Sequence, residues 1–270
     1  MPVGSETKIQ RQRNVIDHTM NTIHTIALIG KGNVAMALGL AWEKQGIHIA
    51  AFCNREGILP KGFAGNDTLL LKDPARIPYR VDAILVATSD DAVMGTIDQL
   101  PTGPLVVHFS GSLPTPDAHA AVLWPIQSIV PGKIHSATNF PIAVTCASSL
   151  TRSVMAFAGL VATDVRQFTE VERQTAHLAA VFAANFTNHC FAIAQRLCAN
   201  AGLSWELFQP IAQQIANQGI RGNSATHQTG PAIREDQMVI DAHEALLDEH
   251  PDFKTIYTAL SKSIQSFPNS

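Results

Sequence analysis

The run Gly30-Lys31-Gly32-Asn33-Val34-Ala35 places two glycines and an alanine at the spacing that brings backbone against a phosphate. The first glycine permits a tight turn, and the second lets the chain approach a pyrophosphate without a Cβ in the way. Ala35, where a third glycine often stands, keeps the following helix close to the strand before it. The amides and positive dipole end of that helix favour an anion. Such a motif has force only between a strand and a helix, and here the setting is present. Residues 26–29 are a short apolar run, residues 34–45 are helix formers closed by Gly46, and residues 47–52 read as a second buried strand. Lys31, Asn33 and Val34 are accordingly counted with Gly30, Gly32 and Ala35 as cofactor-binding positions of a dinucleotide site.

The end of the second strand distinguishes two cofactors. Domains that bind NAD carry Asp or Glu about 20 residues after the glycines, to bond the ribose 2′-hydroxyl. The strand here ends Phe52-Cys53-Asn54-Arg55, without a carboxylate and with a guanidinium suited to a 2′-phosphate. Asn54 and Arg55 therefore predict NADP. The competing reading makes Arg55 a solvated loop residue, and the adjacent Glu56 weighs on that side. Two further loops follow apolar strands: Thr88-Ser89-Asp90-Asp91 after residues 83–87, and Ser110-Gly111-Ser112 after residues 106–108. Ligands of open α/β sheets collect at such strand ends, so Thr88, Ser89, Ser110 and Gly111 are expected beside the nicotinamide ribose. The ordinary alternative is helix capping, above all for Asp90.

Short apolar strands alternating with helix-length segments predict parallel β-α-β units covered on both faces. Residues 139–146, 150–160 and 165–168 add strand, helix and strand. After Thr169 the pattern is helical. Thr169 and Glu172 form a capping-box pair, one helix runs from 170 to about 200, Gly202 ends it and Ser204 caps the next. A final helix from Pro251 carries Phe253, Ile256, Tyr257, Leu260 and Ile264 on one face. The expected fold is an α/β Rossmann domain with a mostly parallel, doubly wound sheet, followed by an all-α helical domain. Residues 1–22 are read as a flexible leader, 23–169 as the NADP-binding domain and 170–270 as a substrate and dimerisation domain.

Along the long helix, His177, Val181, Asn185 and Asn188 fall on one side at 100° per residue. Buried polar groups need partners, so this line means either a ligand-facing face or a structural network. His177 alone could move a proton near neutral pH. The chain has 270 residues, a formal net charge of −3 and no basic block, which excludes nucleic acid as the main partner. No apolar run reaches the roughly 20 residues of a membrane span. The four cysteines make no C-x-x-C pair, His243-Glu244 lacks the second histidine of a zincin helix, and no metal is expected. Reduced thiols predict a cytoplasmic protein.

Four stretches carry a resemblance beyond these features: HFSGS (108–112), WPIQS (124–128), HLAAVFAANFTNH (177–189) and QTGPAIREDQ (228–237). With the glycine turn they resemble a family that pairs a Rossmann-like domain with a helical domain of unknown function (2520). More distantly they resemble ketopantoate reductase, pyrroline-carboxylate reductase and the β-hydroxyacid dehydrogenases. The resemblance implies an NADP-dependent oxidoreductase that works as a homodimer. It also implies that the turn 228–231 approaches the substrate pocket. In the more distant relatives the first long helix bears a lysine four residues before an asparagine; here Val181 stands four before Asn185, so that lysine chemistry does not carry over. The expected activity is reduction of a small carbonyl or imine compound by NADPH, with His177, Asn185 and Asn188 as catalytic positions. The alternative is a non-catalytic NADP-binding sensor or interaction protein.

Overall fold

The structure is a computed structural model that describes residues 22–129, 140–222 and 224–267. The expected leader therefore lies, but for Thr22, outside the described residues.

The apolar runs fold as β1 (Thr25–Ile29), β2 (His48–Cys53), β4 (Ala83–Val86) and β5 (Leu105–His108), with the short β3 (Leu69–Leu71) beyond β2. All pair in parallel. Every residue of β4 is buried, as a parallel strand covered on both faces requires. Alternation divides the core in two. Ile26, Leu28, Leu85 and Val107 face helix α1 (Asn33–Lys44) and helix α3 (Thr151–Gly159), whereas Ala27, Ile29, Ile84 and Val86 face α2 (Asp90–Ile97). Trp42 of α1 is fully buried, stacks on Phe157 of α3 at 4.4 Å between ring centroids, and donates its indole N–H to the Phe157 carbonyl at 3.0 Å. That contact ties the helix carrying the glycine turn to the far part of the chain.

The sheet has eight strands in the order β3-β2-β1-β4-β5-β6-β7-β8. β6 (Ala120–Pro125) is parallel to β5, β7 (Pro141–Cys146) is antiparallel to β6, and β8 (Asp164–Gln167) is parallel to β7. The strand order reverses between β1 and β4, and the crevice beyond their carboxyl ends is where a doubly wound sheet binds ligands. The expected Rossmann architecture is therefore present. β3 and β6 were not foreseen. β3 has only three residues, and β6 follows β5 through a loop with no helix, so the β-α-β spacing that revealed the others is missing.

By its contacts the chain divides into two compact units, one ending at Ala184 and the other spanning Asn185–Ser270. Helix α4 (Glu170–Ala180) belongs to the first and packs Ala176 and Ala180 near Val122, Trp124 and Ala143. The capping box at its start is formed as expected: Glu172 N–H donates to Thr169 Oγ1 and Thr169 N–H to Glu172 Oε2. The long helix is not one α-helix, because Val181–Phe186 winds as a π-helix before α5 (Thr187–Asn200) begins. A face counted at 100° per residue therefore does not run unbroken from His177 to Asn188.

The second unit continues with α6 (Gln209–Ile220), α7 (Gln237–Leu246) and α8 (Pro251–Ser266). Gly202 takes a positive φ of 66° after α5, and the Ser204 side chain accepts from Glu206 N–H, as the sequence foretold. His243 and Glu244 join α7 to α8, the first through Tyr257 Oη at 3.0 Å and the second by accepting from Thr258 Oγ1 at 2.6 Å.

Candidate functional site

Gly30 has φ +102°, and a Cβ on it would collide with the Ala87 carbonyl at the end of the neighbouring strand. Its N–H donates to Cys53 O at 2.9 Å, which fixes the turn against β2. Gly32 is the N-cap of α1 in extended backbone, has no side-chain cap bond, and a Cβ there would meet nothing within 4 Å. The two glycines thus do different work: Gly30 is demanded by the fold, whereas Gly32 leaves open the approach to the first-turn amides of α1. This end faces a cavity of about 780 Å³ inside the first unit. Gly30, Lys31, Gly32, Asn33 and Val34 line it, while Ala35 is buried beneath. Asn33 also donates its side-chain N–H to Ile129 O at 3.2 Å.

One end of the cavity is cationic, with Lys31, Arg55 and Lys72 on the loops after β1, β2 and β3. Asn54 is largely buried, lines this wall and shapes it. Its Oδ1 accepts from the amides of Glu56, Gly57 and Ile58, and its Nδ2 donates to Ile58 O at 2.6 Å. That Asx-type turn presents Arg55 and Glu56 at the edge. Glu56 pairs with Lys31 at 2.6 Å, and this hydrogen bond is the main reason its carboxyl lies below the usual range.

The other end is lined by Thr88, Ser89, Asp90, Phe109, Ser110, Trp124 and Gln127. Thr88 Oγ1 is buried without a protein partner. Asp90 is not the helix cap that the sequence suggested. Ser89 holds that place, and Asp90 Oδ2 instead accepts from Ser110 Oγ at 2.9 Å and Ser112 Oγ at 3.2 Å. His108 is fully buried; its Nδ1 accepts from Ser110 N–H at 3.3 Å and its Nε2 lies 3.1 Å from Pro114 O. These contacts place the ring proton on Nε2, and burial lowers the pKa so that the imidazole is held neutral.

His177 packs against Trp124, ring centroids 5.4 Å apart and edge to face, and lies over Gly111. It thus touches one wall residue, Trp124, and the loop behind the wall at Gly111, without lining the cavity itself. Asn185 and Asn188 are exposed and belong to the second unit. The structure therefore brings together the glycine turn, Asn54, Arg55, Thr88, Ser89 and Ser110 on one cavity, with Gly111 and His177 just behind. Sequence reasoning passed over Lys72, and it quoted Phe109, Trp124 and Gln127 only within stretches of resemblance, with no site role. For Trp124 the signals were the stretch WPIQS and the unbroken apolar run of β6.

An extended dinucleotide fits this arrangement. The uncapped helix start offers amides to a pyrophosphate, the cations flank one end, and the orphaned Thr88 hydroxyl stands toward the other. A comparison with known families matches the second half of the chain. Residues 140–264 match the model of a domain of unknown function, DUF2520. Its span begins within the sheet, at Phe140 before β7, and extends through most of α8. The chain is similar to the crystal structure of a "putative NADP oxidoreductase" from Bacteroides fragilis, at 28% identity and TM-score 0.75, covering 90% of this chain and 98% of that one. It is also similar to an imine reductase from Myxococcus stipitatus in complex with NADP+, at 16% identity and TM-score 0.63, covering 89% and 93%. A reductive aminase from Aspergillus terreus in complex with NADPH and ethyl levulinate matches at 12% identity and TM-score 0.65, covering 91% and 95%. At these identities the last two share the fold. No curated protein sequence matches the chain.

Proposed function

We propose that this chain is an NADP(H)-dependent reductase of a small carbonyl or imine compound that works as a homodimer. The observation that carries the reading is the open, glycine-led start of α1 facing a cavity with Lys31, Arg55 and Lys72 at one end. Three cations on three successive loops suit a 2′-phosphate and give a ribose diol no matching carboxylate except Glu56, which is paired to Lys31. The likeness to the Bacteroides fragilis protein supports the same cofactor. When bound, NADPH supplies the hydride. The protein's part is to bind the pyrophosphate on α1, hold the nicotinamide end between the Thr88–Ser89 and Phe109–Ser110 loops, and exclude water with Phe109 and Trp124. His177, beside Trp124 and Gly111, is the candidate to deliver the proton, with Asn185 and Asn188 following on the same helical stretch.

Exposed Leu207, Ile211 and Ile215 form a ladder four residues apart in the second unit, and their accessibility of 70%, 60% and 53% supports a homodimer. All four cysteines are free thiols, which supports a cytoplasmic location. No described helix is long and apolar enough to cross a membrane.

The test is NADPH oxidation against a panel of small cyclic imines, ketones and aldehydes. Turnover of any member supports the reductase, and His177→Gln should then slow it by about 10²–10⁴-fold with NADPH affinity retained. Val181, where the more distantly resembled β-hydroxyacid dehydrogenases and ketopantoate reductase carry lysine, favours a second reading, a sensor that binds NADPH without using it. Tight binding with no turnover across the panel would support that reading.

A further inference from the structure

Arg173 sits on the first turns of α4, in a stretch (Glu170-Val171-Glu172-Arg173-Gln174) that reads as a solvated helix start, yet its relative exposure is 0%. No carboxylate forms an ion pair with it among the described residues. Its guanidinium spends itself on neutral acceptors. Nε donates to Thr145 Oγ1 at 3.2 Å, Nη1 to Ser110 O at 3.0 Å and Gly111 O at 2.8 Å, and Nη2 to Leu113 O at 2.7 Å. A guanidinium stays charged in proteins, and burying it with no carboxylate in contact, only the charge of Glu170 nearby, is costly. An apolar side chain of similar length would fill the same space without that cost. The charge therefore does something that packing does not require.

What it does is turn a loop. The carbonyls of Ser110, Gly111 and Leu113 converge on one cation, and Gln174 Nε2 takes the remaining one, Ser112 O, at 3.2 Å. With the carbonyls turned to α4, the planar trans peptides direct the N–H groups of Gly111 and Ser112 away from it. Ser110 Oγ is held in the same frame: it accepts from Ser112 N–H and Leu113 N–H at 3.2 Å each, donates to Asp90, and lines the cavity. His108 clamps the loop from its other side through Ser110 N–H and Pro114 O. Arg173 lines none of this cavity; it acts through the loop.

We infer that Arg173 is a positioning residue for the reactive end of the dinucleotide, fixing the loop 110–113 so that the Ser110 hydroxyl faces the bound nicotinamide half. The inference rests on the dinucleotide reading given above. It assigns a function to a buried cation at the β5 side and none at the cationic β2 end, so the two halves of the ligand report on it separately.

The test compares the affinities of NADPH and of 2′,5′-ADP, which carries the adenosine and 2′-phosphate but no nicotinamide. In the parent chain NADPH should bind more tightly than 2′,5′-ADP. In Arg173→Lys, which keeps the charge but loses the fork, 2′,5′-ADP affinity should stay within about twofold. NADPH affinity should fall by about tenfold or more. Thr145→Val removes only the Nε acceptor on β7, which lines none of the cavity, and should shift the same ratio by at least about threefold with the fold kept. A folded variant with an unchanged ratio, or one in which both ligands weaken in parallel, overturns the inference. Should Arg173→Lys fail to fold, Thr145→Val decides by the same ratio. A parent chain that binds NADPH no more tightly than 2′,5′-ADP overturns the inference while leaving the cofactor site standing. A parent that binds neither overturns the dinucleotide reading and the inference with it.

Discussion

Gly30 and Gly32 lie two residues apart in one motif, yet substitution should separate them cleanly. At Gly30 the φ of +102° is in a region that other residues enter at a cost of about 1–3 kcal/mol. Its Cβ would also press on the Ala87 carbonyl, which is backbone and cannot swing aside. Gly30→Ala should therefore lose roughly 2–4 kcal/mol, a fall in Tm of about 5–15 °C for a chain of this size. At Gly32 the φ of −71° and ψ of 178° suit any residue, and a Cβ meets no protein atom. Serine is a better N-cap than glycine by a few tenths of a kcal/mol, so Gly32→Ser should keep or slightly raise Tm. The same Cβ and Oγ would stand where a pyrophosphate must approach the helix start. NADPH affinity should fall at least about tenfold, equivalent to about 1.4 kcal/mol. Differential scanning calorimetry and a nucleotide titration on both variants make the assay. Gly32→Ser that binds NADPH as the parent does would refute the reasoning, as would Gly30→Ala melting with the parent.

Glu56→Gln should release Lys31 from its 2.6 Å pair and tighten NADPH several-fold in low salt. A titration in high salt should show that gain fading, since both groups are half exposed. His108 gives a pH signature. Its pKa is lowered by burial, so the unfolded chain binds a proton that the folded chain refuses. Its contribution is complete above the unfolded value of about 6.5 and is lost as pH falls toward the folded value, at up to about 1.4 kcal/mol per pH unit. Urea unfolding at pH 7.5 and 5.5 should show this loss, and His108→Gln should flatten it. Light scattering should return a dimer mass, and the double change Ile211→Glu, Ile215→Glu should return a monomer.

Much of the sheet was legible because buried parallel strands write themselves as continuous apolar runs, and the glycine turn announces which strand comes first. β6 escaped although Ala120–Pro125 is as apolar as any strand, because no helix separates it from β5. The π-helix at Val181–Phe186 escaped too, since its sequence has ordinary helical composition and the winding depends on tertiary packing. At the site, motif reasoning reached the residues that a local rule governs, from Gly30 to Arg55. Asp90 shows the limit of such rules: its position fits a cap, but two serine hydroxyls on the next loop claim its carboxylate. Arg173 shows it again. Nothing in the text of the chain distinguishes an arginine among glutamates from a solvated one, and only the fold reveals three carbonyls waiting beneath it.

The central claim is that the cavity beyond β1 and β4 takes a dinucleotide with a 2′-phosphate. Isothermal titration of the full chain with NADPH and with NADH measures this directly. The account predicts NADPH binding at one site per chain, at least about tenfold tighter than NADH, with Arg55→Ala closing most of the gap. Equal affinity for the two nucleotides, or a gap that Arg55→Ala leaves untouched, would contradict it.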